Sequence, residues 1–191
     1  MGKLVFSHNL TLDGCIDHRE GIADEVTHAY FTRFLSGFGA ILWGRTTYEM
    51  MESYWPAVAQ GHTEAPPVLR ELALVMQTLP KYVCTSTRSD FWWENSYRLA
   101  GELGPAARDL KRRTEAGVLL GSGRLANELE RLGLIDEYRF LIHPVLAGHG
   151  PKLYPQGLAS SRQLRLVSSQ SLGNGVLAVH YARASSSASG A

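Results

Sequence analysis

Apolar residues along the chain follow two alternating spacings, which predict strands and helices in alternation. Short continuous apolar runs at residues 40–44 and 116–121 are typical of strands that are covered on both faces. Apolar residues at helical spacing mark residues 23–35 and 124–133 as amphipathic helices. The same patterns predict further strands at 4–10, 81–86, 137–146, 164–172 and 175–183, and further helices at 46–54, 67–76 and 103–115.

The order of these elements predicts an α/β fold with a mixed sheet flanked by helices. The last two predicted strands are joined by Gly173-Asn174-Gly175, a strong signal for an antiparallel hairpin. We find no internal repeat and no linker, so residues 1–183 are expected to form a single domain. Residues 184–191, ASSSASGA, are too small and polar to pack and are predicted to be a disordered tail.

Composition excludes several classes of function. Nineteen Lys and Arg residues against 18 Asp and Glu residues give a net charge of +1, which makes no case for nucleic acid or an anionic membrane. No apolar run approaches the roughly 18 residues of a membrane span. The two cysteines, Cys15 and Cys84, and the scattered histidines have no zinc-ligand spacing, so we expect no metal. These features predict a soluble, cytoplasmic protein.

The first candidate site is the segment WGRTTYE, where a predicted strand ends in Gly44 and a helix follows at once. Thr46 and Glu49 are spaced as a capping box that would begin this helix. A helix N-terminus attracts phosphate, Gly44 permits a close approach of the backbone, and Arg45 could add donors. The alternative is a well-capped helix with a solvated arginine.

The second candidate repeats the strand, glycine turn and helix arrangement. Gly121, Gly123 and Ala126 satisfy the G-x-G-x-x-A pattern of dinucleotide-binding proteins. That pattern also requires an acidic residue at the end of the next strand, whereas Asp136 and Glu137 precede it. Two such cradles in one chain suggest a ligand with several phosphates, although both could be tight turns without a ligand.

Two further clusters complete the candidates. Thr85, Ser86, Thr87 and Arg88 follow a predicted strand and could hold a phosphate monoester, such as that on the ribose of NADPH. Asp13, Asp17, Asp24 and His28 lie around the first strand and helix, where a reduction would need a proton donor. Asp24 could instead stabilise the start of the helix, and His28 could be a packed or solvated residue.

These segments together resemble the dihydrofolate-reductase-like family, which includes the C-terminal reductase domain of the bifunctional riboflavin-biosynthesis deaminase-reductase. The resemblance rests on LDGCID, ILWGRTTYEMM, KYVCTSTR and the block GSGRLANELERLGLIDEYRFLIHPVLAGHGPKLY, in order over residues 3–183. No deaminase segment is present in the sequence. The resemblance implies a mixed, mainly parallel sheet, NADPH at the strand ends, and a possible homodimer.

The resemblance also implies a role for each cradle. It assigns the turn of Gly44, Arg45, Thr46 and Thr47 to cofactor phosphate, and Thr85, Ser86, Thr87 and Arg88 to the 2′-phosphate region. It assigns Gly121, Ser122, Gly123, Arg124 and Leu125 to the pyrophosphate. Folate reductases carry an acidic residue on the first helix, and counting back from Gly44 places that position near Thr27 or His28.

The sequence thus predicts an NADPH-dependent reductase of a small heterocyclic substrate, nearest to 5-amino-6-(5-phosphoribosylamino)uracil reductase. The catalytic candidates are Asp13, Asp17, Asp24 and His28. The alternatives are a dihydrofolate-reductase-type activity and a non-catalytic module that binds NADPH or a flavin. A Rossmann dehydrogenase is a further alternative, which the misplaced acidic residues disfavour.

Overall fold

A single eight-stranded sheet organises residues 1–184, the part of the chain that the computed structural model describes. Its strands are β1 (Leu4–Thr11), β2 (Ala40–Gly44), β3 (Lys81–Cys84), β4 (Ser96–Arg98), β5 (Val118–Leu120), β6 (Glu137–His143), β7 (Leu164–Ser171) and β8 (Leu177–Arg183). The α-helices that flank the sheet are α1 (Glu25–Leu35), α2 (Arg45–Glu52), α3 (Trp55–Ala59), α4 (Pro67–Thr78), α5 (Leu103–Arg113) and α6 (Gly123–Arg131). Apart from Ala184, the predicted tail lies outside the described residues.

The strand order is β4-β3-β2-β5-β1-β6-β8-β7. The first six strands of that order pair in parallel, while β8 is antiparallel to both β6 and β7. The predicted mixed, mainly parallel sheet with a C-terminal hairpin is therefore confirmed. A Rossmann dehydrogenase is excluded, because β1 lies between β5 and β6, whereas that fold has the order 3-2-1-4-5-6.

Two hydrophobic clusters cover the two faces of the sheet. Helices α5 and α6 pack on one face, around buried residues such as Phe6, Leu120 and Leu129. Helices α1, α2 and α4 cover the other face, around Ile41, Trp43 and Met76. Because both faces are covered, the central strands are continuous apolar runs, which is why β2 was predictable with its observed bounds.

The predicted start of α2 is wrong. Thr46 does not cap this helix: Gly44 is the N-cap residue, and no side chain of the described residues caps the helix. Thr46 lies within the first turn instead. The sequence also gave no signal for α3 or β4, since α3 has five residues and begins with Trp55-Pro56, and β4 has only three.

Candidate functional site

A continuous cleft of about 1560 Å³ runs along the carboxyl ends of the parallel strands. Its walls come from the ends of β1, β2, β3 and β5 and from the segments that follow them. Small-molecule pockets ordinarily measure about 300–1,000 Å³. The cleft therefore has room for a dinucleotide together with a second molecule, and it lies where open α/β sheets bind their ligands.

The N-termini of α2 and α6 meet at the centre of the cleft. Neither helix has a side-chain cap among the described residues, so their first backbone N–H groups remain available to a ligand. The Ser122 hydroxyl joins the two helix starts, because it accepts a hydrogen bond from the Gly44 N–H at 3.0 Å and donates one to Thr47 Oγ1 at 2.7 Å. Two helix dipoles thus direct positive charge at one region, which favours an anion.

Close packing requires glycine at Gly121 of the second turn, whereas the atom nearest to a Cβ at Gly123 is the end of the flexible Ile16 side chain, which can shift. A Cβ on Gly121 would lie 2.7 Å from Trp43 Nε1, and one on Gly123 would lie 2.7 Å from Ile16 Cδ1. Trp43 is itself fixed, since it is 4% exposed and stacks on Trp93. The absence of a Cβ therefore allows the strand-to-helix turn to pack against Trp43 and leaves the backbone of the turn accessible to a ligand.

Arginine side chains lie beside both helix starts. Arg45 and Arg124, each in the first turn of its helix, line the cleft, as do Thr46 and Leu125. Arg45 is half-exposed and lies 3.8 Å from Glu49, a distance at which an exposed ion pair contributes little. Its guanidinium is therefore not committed to a strong partner and is suited to bind a phosphate oxygen.

The loop after β3 forms the next part of the cleft. The Thr85 hydroxyl accepts hydrogen bonds from the backbone N–H groups of Thr87, at 3.3 Å, and Arg88, at 3.1 Å. Thr85, Ser86 and Thr87 all line the cleft. Arg98 of β4 also lines it and donates through Nε to the Thr85 carbonyl oxygen at 3.1 Å. Sequence reasoning missed Arg98, because it missed the strand that carries it.

Arg88 pairs with carboxylates of α2. Its guanidinium binds the buried Glu52 carboxylate at 2.7 Å and lies over the rings of Tyr48 and Phe91. It is not among the residues that line the cleft. Arg88 therefore anchors the loop after β3 to α2, and Arg98 supplies the guanidinium on the cleft side.

The cleft is also lined by Asp17 and His28. The Asp17 carboxylate accepts hydrogen bonds from Arg19, at 3.0 Å from Nε and 2.6 Å from Nη2, which hold the pKa of Asp17 well below its ordinary value. His28 lies on the first turns of α1, and burial lowers its pKa. At neutral pH the cleft thus contains an ionised, paired Asp17 and a neutral imidazole.

Asp13 and Asp24 lie outside the cleft lining. Asp13 accepts hydrogen bonds from Lys152 at 2.7 Å and from the backbone N–H groups of Ala147 and Gly148. Asp24 caps α1 through the Thr27 N–H at 2.9 Å and also accepts from the Asn174 amide. The structure therefore places both carboxylates in structural contacts, outside the cleft lining.

Three residues of β1 that the sequence did not single out also line the cleft: Ser7, His8 and Asn9. Burial lowers the pKa of His8, whose Nδ1 lies 3.0 Å from the Asn9 carbonyl oxygen. With a proton on Nδ1, the other ring nitrogen is an acceptor. Asn9 Oδ1 is buried without a hydrogen-bond partner among the described residues. The sequence feature that could have pointed to His8 and Asn9 is their position toward the end of a predicted strand.

Comparison with known proteins identifies the family. The model of the RibD C-terminal domain matches residues 3–178. The chain belongs to this family. It is 26% identical over 183 residues to the uncharacterized protein YyaP of Bacillus subtilis, with 94% of each chain covered. The predicted resemblance is thereby confirmed.

Solved structures share the RibD-type fold. A protein of Shewanella sp. PV-4 that is provisionally assigned to riboflavin biosynthesis superposes with a TM-score of 0.70 at 20% identity, covering 96% of this chain and 99% of the other. A pyrimidine reductase-like protein of Corynebacterium diphtheriae gives 0.62 at 13% identity, covering 96% and 92%. The Thermotoga maritima diaminohydroxyphosphoribosylaminopyrimidine deaminase/5-amino-6-(5-phosphoribosylamino)uracil reductase gives 0.66 at 16%, covering 96% and 57%.

Residues 1–184 contain neither a cluster of metal-ligand side chains nor a helix suited to cross a membrane. No group of three or more His, Cys, Asp and Glu side chains in this part of the chain could hold a metal ion. None of its helices combines the length and apolar character that a membrane crossing requires.

Proposed function

We propose that this RibD C-terminal domain protein is an NADPH-dependent reductase of a small heterocyclic substrate. The observation that carries the proposal is the meeting of two uncapped helix N-termini across the strand ends, joined by Ser122. NADPH has a pyrophosphate and a 2′-phosphate. The first fits the helix starts at Gly44–Thr47 and Gly121–Leu125. The second fits the loop of Thr85, Ser86 and Thr87 with Arg98.

When bound, NADPH supplies a hydride, and the chain has to orient the substrate and control the proton. His28, neutral at pH 7, can donate through one ring nitrogen and accept through the other. Asp17 stays ionised because of Arg19, so it binds a donor group and does not release a proton. Asn9 offers its unpartnered oxygen to an N–H or O–H group. We therefore assign substrate orientation to Asp17 and Asn9, and proton delivery to His28.

Folate reduction fits the cleft less well. The α1 residues that line it are His28, Phe31 and Leu35, and none of these carries a carboxylate. Thr27 is buried and accepts a hydrogen bond from Asn174. The acidic residue that the family resemblance places near Thr27 or His28 is therefore absent, and a pyrimidine-type ring is the better substrate.

The test is a titration with NADPH and NADH that follows nicotinamide fluorescence. We expect Arg45→Ala to weaken both nucleotides about tenfold or more, because a charge-assisted hydrogen bond contributes about 1.5–3 kcal/mol. Arg98→Ala should weaken NADPH by a similar factor and leave NADH nearly unchanged. Arg112→Ala is the control, since this exposed arginine pairs with Asp109 on α5 and with no other carboxylate of residues 1–184. Failure of both nucleotides to bind would refute the proposal.

A non-catalytic NADPH- or flavin-binding module is the second candidate. It is favoured because Asp13, Asp17 and Asp24 each accept hydrogen bonds from other residues. None of these three carboxylates is therefore unpaired and free to deliver a proton. It predicts tight NADPH binding with no oxidation of NADPH by any pterin or pyrimidine offered. His28→Ala should then have no effect, whereas the reductase should lose turnover and keep its affinity for NADPH.

We also propose a homodimer through the edge strand β7. This strand lies at the end of the sheet, and nearly all of its residues are exposed, including Leu166 and Val167 at 51% and 44%. An unpaired edge with apolar side chains is a template for pairing with a second copy. Sedimentation should show a dimer that Leu166→Lys dissociates, and a monomeric wild-type protein would contradict the proposal.

A further inference from the structure

The cleft has an apolar recess that the cofactor cradles do not use. Its walls are side chains of α1, α2, α3 and α4: Phe31, Leu35, Met51, Trp55, Leu72 and Met76. Leu35, Leu72 and Met76 are at most 5% exposed and form the floor, while Met50 and Tyr54, each 40% exposed, form the rim. The recess belongs to the same cleft, which Trp43 also lines, so a molecule held there would share the cleft with the proposed cofactor.

The recess carries no charged side chain among these walls. Four arginines line the cleft outside these walls: Arg45, Arg98 and Arg124 stand at the phosphate cradles, and Arg19 is bound by Asp17. A phosphate dianion in the recess would lose its water and meet no cation, with the Trp55 indole as the one N–H donor among these walls. An uncharged ring would instead gain by burial of its apolar surface.

We infer that the substrate carries an uncharged apolar group about the size of one or two rings, which occupies this recess, and that no phosphate enters the recess. The inference rests on the proposed function and deepens it by naming the class of substrate. The name of the Thermotoga maritima protein gives its substrate a phosphoribosyl group. This chain offers that group no site in the recess. The methionines of the wall are flexible and polarizable, which suits apolar groups of more than one shape.

The test compares two probes that differ only in a phosphate, α-naphthol and α-naphthyl phosphate. Their binding to the NADPH-saturated protein is measured by calorimetry, so that the cofactor cradles are already filled. We expect α-naphthol to bind at one site. Its affinity should be at least about tenfold higher than that of the phosphate ester, because transfer of the phosphate dianion from water into the recess is unfavourable.

Three variants locate the binding. Met51→Gln places a polar group of similar shape in the half-buried wall and should weaken α-naphthol about fivefold or more. Met51→Leu keeps the wall apolar and should retain the affinity. Leu74→Gln is the matched control, because Leu74 is 54% exposed on α4 and does not line the cleft.

The outcomes separate this inference from the proposed function. Equal or tighter binding of the phosphate ester, no binding of α-naphthol, or an affinity that Met51→Gln leaves unchanged would each overturn the inference. If NADPH itself does not bind, the proposed reductase fails, and the same comparison on the free protein still decides whether the recess takes an uncharged ring. If NADPH binds tightly but α-naphthol has no site, the proposed reductase function stands and the inferred apolar substrate group is refuted.

Discussion

Removal of one hydroxyl, in Ser122→Ala, should loosen the junction between α2 and α6. Ser122 is 3% exposed, and its Oγ holds the Gly44 N–H at 3.0 Å and the Thr47 hydroxyl at 2.7 Å. The alanine variant leaves both groups without this partner. A buried polar group that loses its partner costs about 1–3 kcal/mol. We therefore expect the free energy of unfolding to fall by about 2 kcal/mol.

A double-mutant cycle with Thr47→Val isolates the side-chain bond. Unfolding in urea, followed by tryptophan fluorescence, gives the free energy for the wild type, the two single variants and the double variant. Because the bond is absent from both single variants, the double variant should be more stable than additivity predicts by about 1 kcal/mol. NADPH affinity should also fall in Ser122→Ala, since the helix starts are no longer held together. A coupling below about 0.3 kcal/mol would refute the role of Ser122 as the link.

Three other variants test the framework, each by urea unfolding. Gly121→Ala should lower stability by about 1–3 kcal/mol because its Cβ would meet Trp43 at 2.7 Å, whereas Gly37→Ala, with its nearest neighbour at 3.5 Å, should change it by less than about 1 kcal/mol. Lys81→Met should cost about 2 kcal/mol or more, because the buried Lys81 Nζ donates to three carbonyl oxygens at the end of α4. Asp13→Asn should be less stable than wild type at neutral pH. Because the bond with Lys152 lowers the pKa of Asp13, its contribution is present above the unfolded-state pKa of about 3.9 and is lost as the pH falls through the lower folded pKa. A difference that persists in acid would contradict this reasoning.

The fold could be predicted from sequence wherever the signal is local. The strand β2 is a continuous apolar run with a glycine at its end, and its bounds were predicted as observed. The strand β6 ends at His143, short of the predicted residue 146, because Pro144 has no N–H for the ladder. The strand β4 has three residues, two of them exposed, and is held by pairing with β3, so its own sequence gave no signal.

The candidate site likewise contains residues that local sequence patterns predicted and residues that they did not. The cradles at Gly44 and Gly121 are local strand-to-helix turns, and both line the cleft as predicted residues. Arg88 was expected to face the cofactor, but Glu52 of a different helix binds its guanidinium. Asp13 is engaged by Lys152, which lies 139 positions away in the chain. Such partners are set by the tertiary fold, and no local pattern reveals them.

The central claim is that the starts of α2 and α6 bind the phosphates of NADPH, and amide hydrogen exchange tests it most directly. The exchange of the wild-type protein is compared with and without saturating NADPH, with Arg45→Ala as the variant that should show less protection. We expect NADPH to slow exchange at residues 45–47 and 123–125, whose N–H groups are not capped by any side chain of residues 1–184, and in the loop of residues 85–87. Bound NADPH that leaves these amides unchanged would contradict the account.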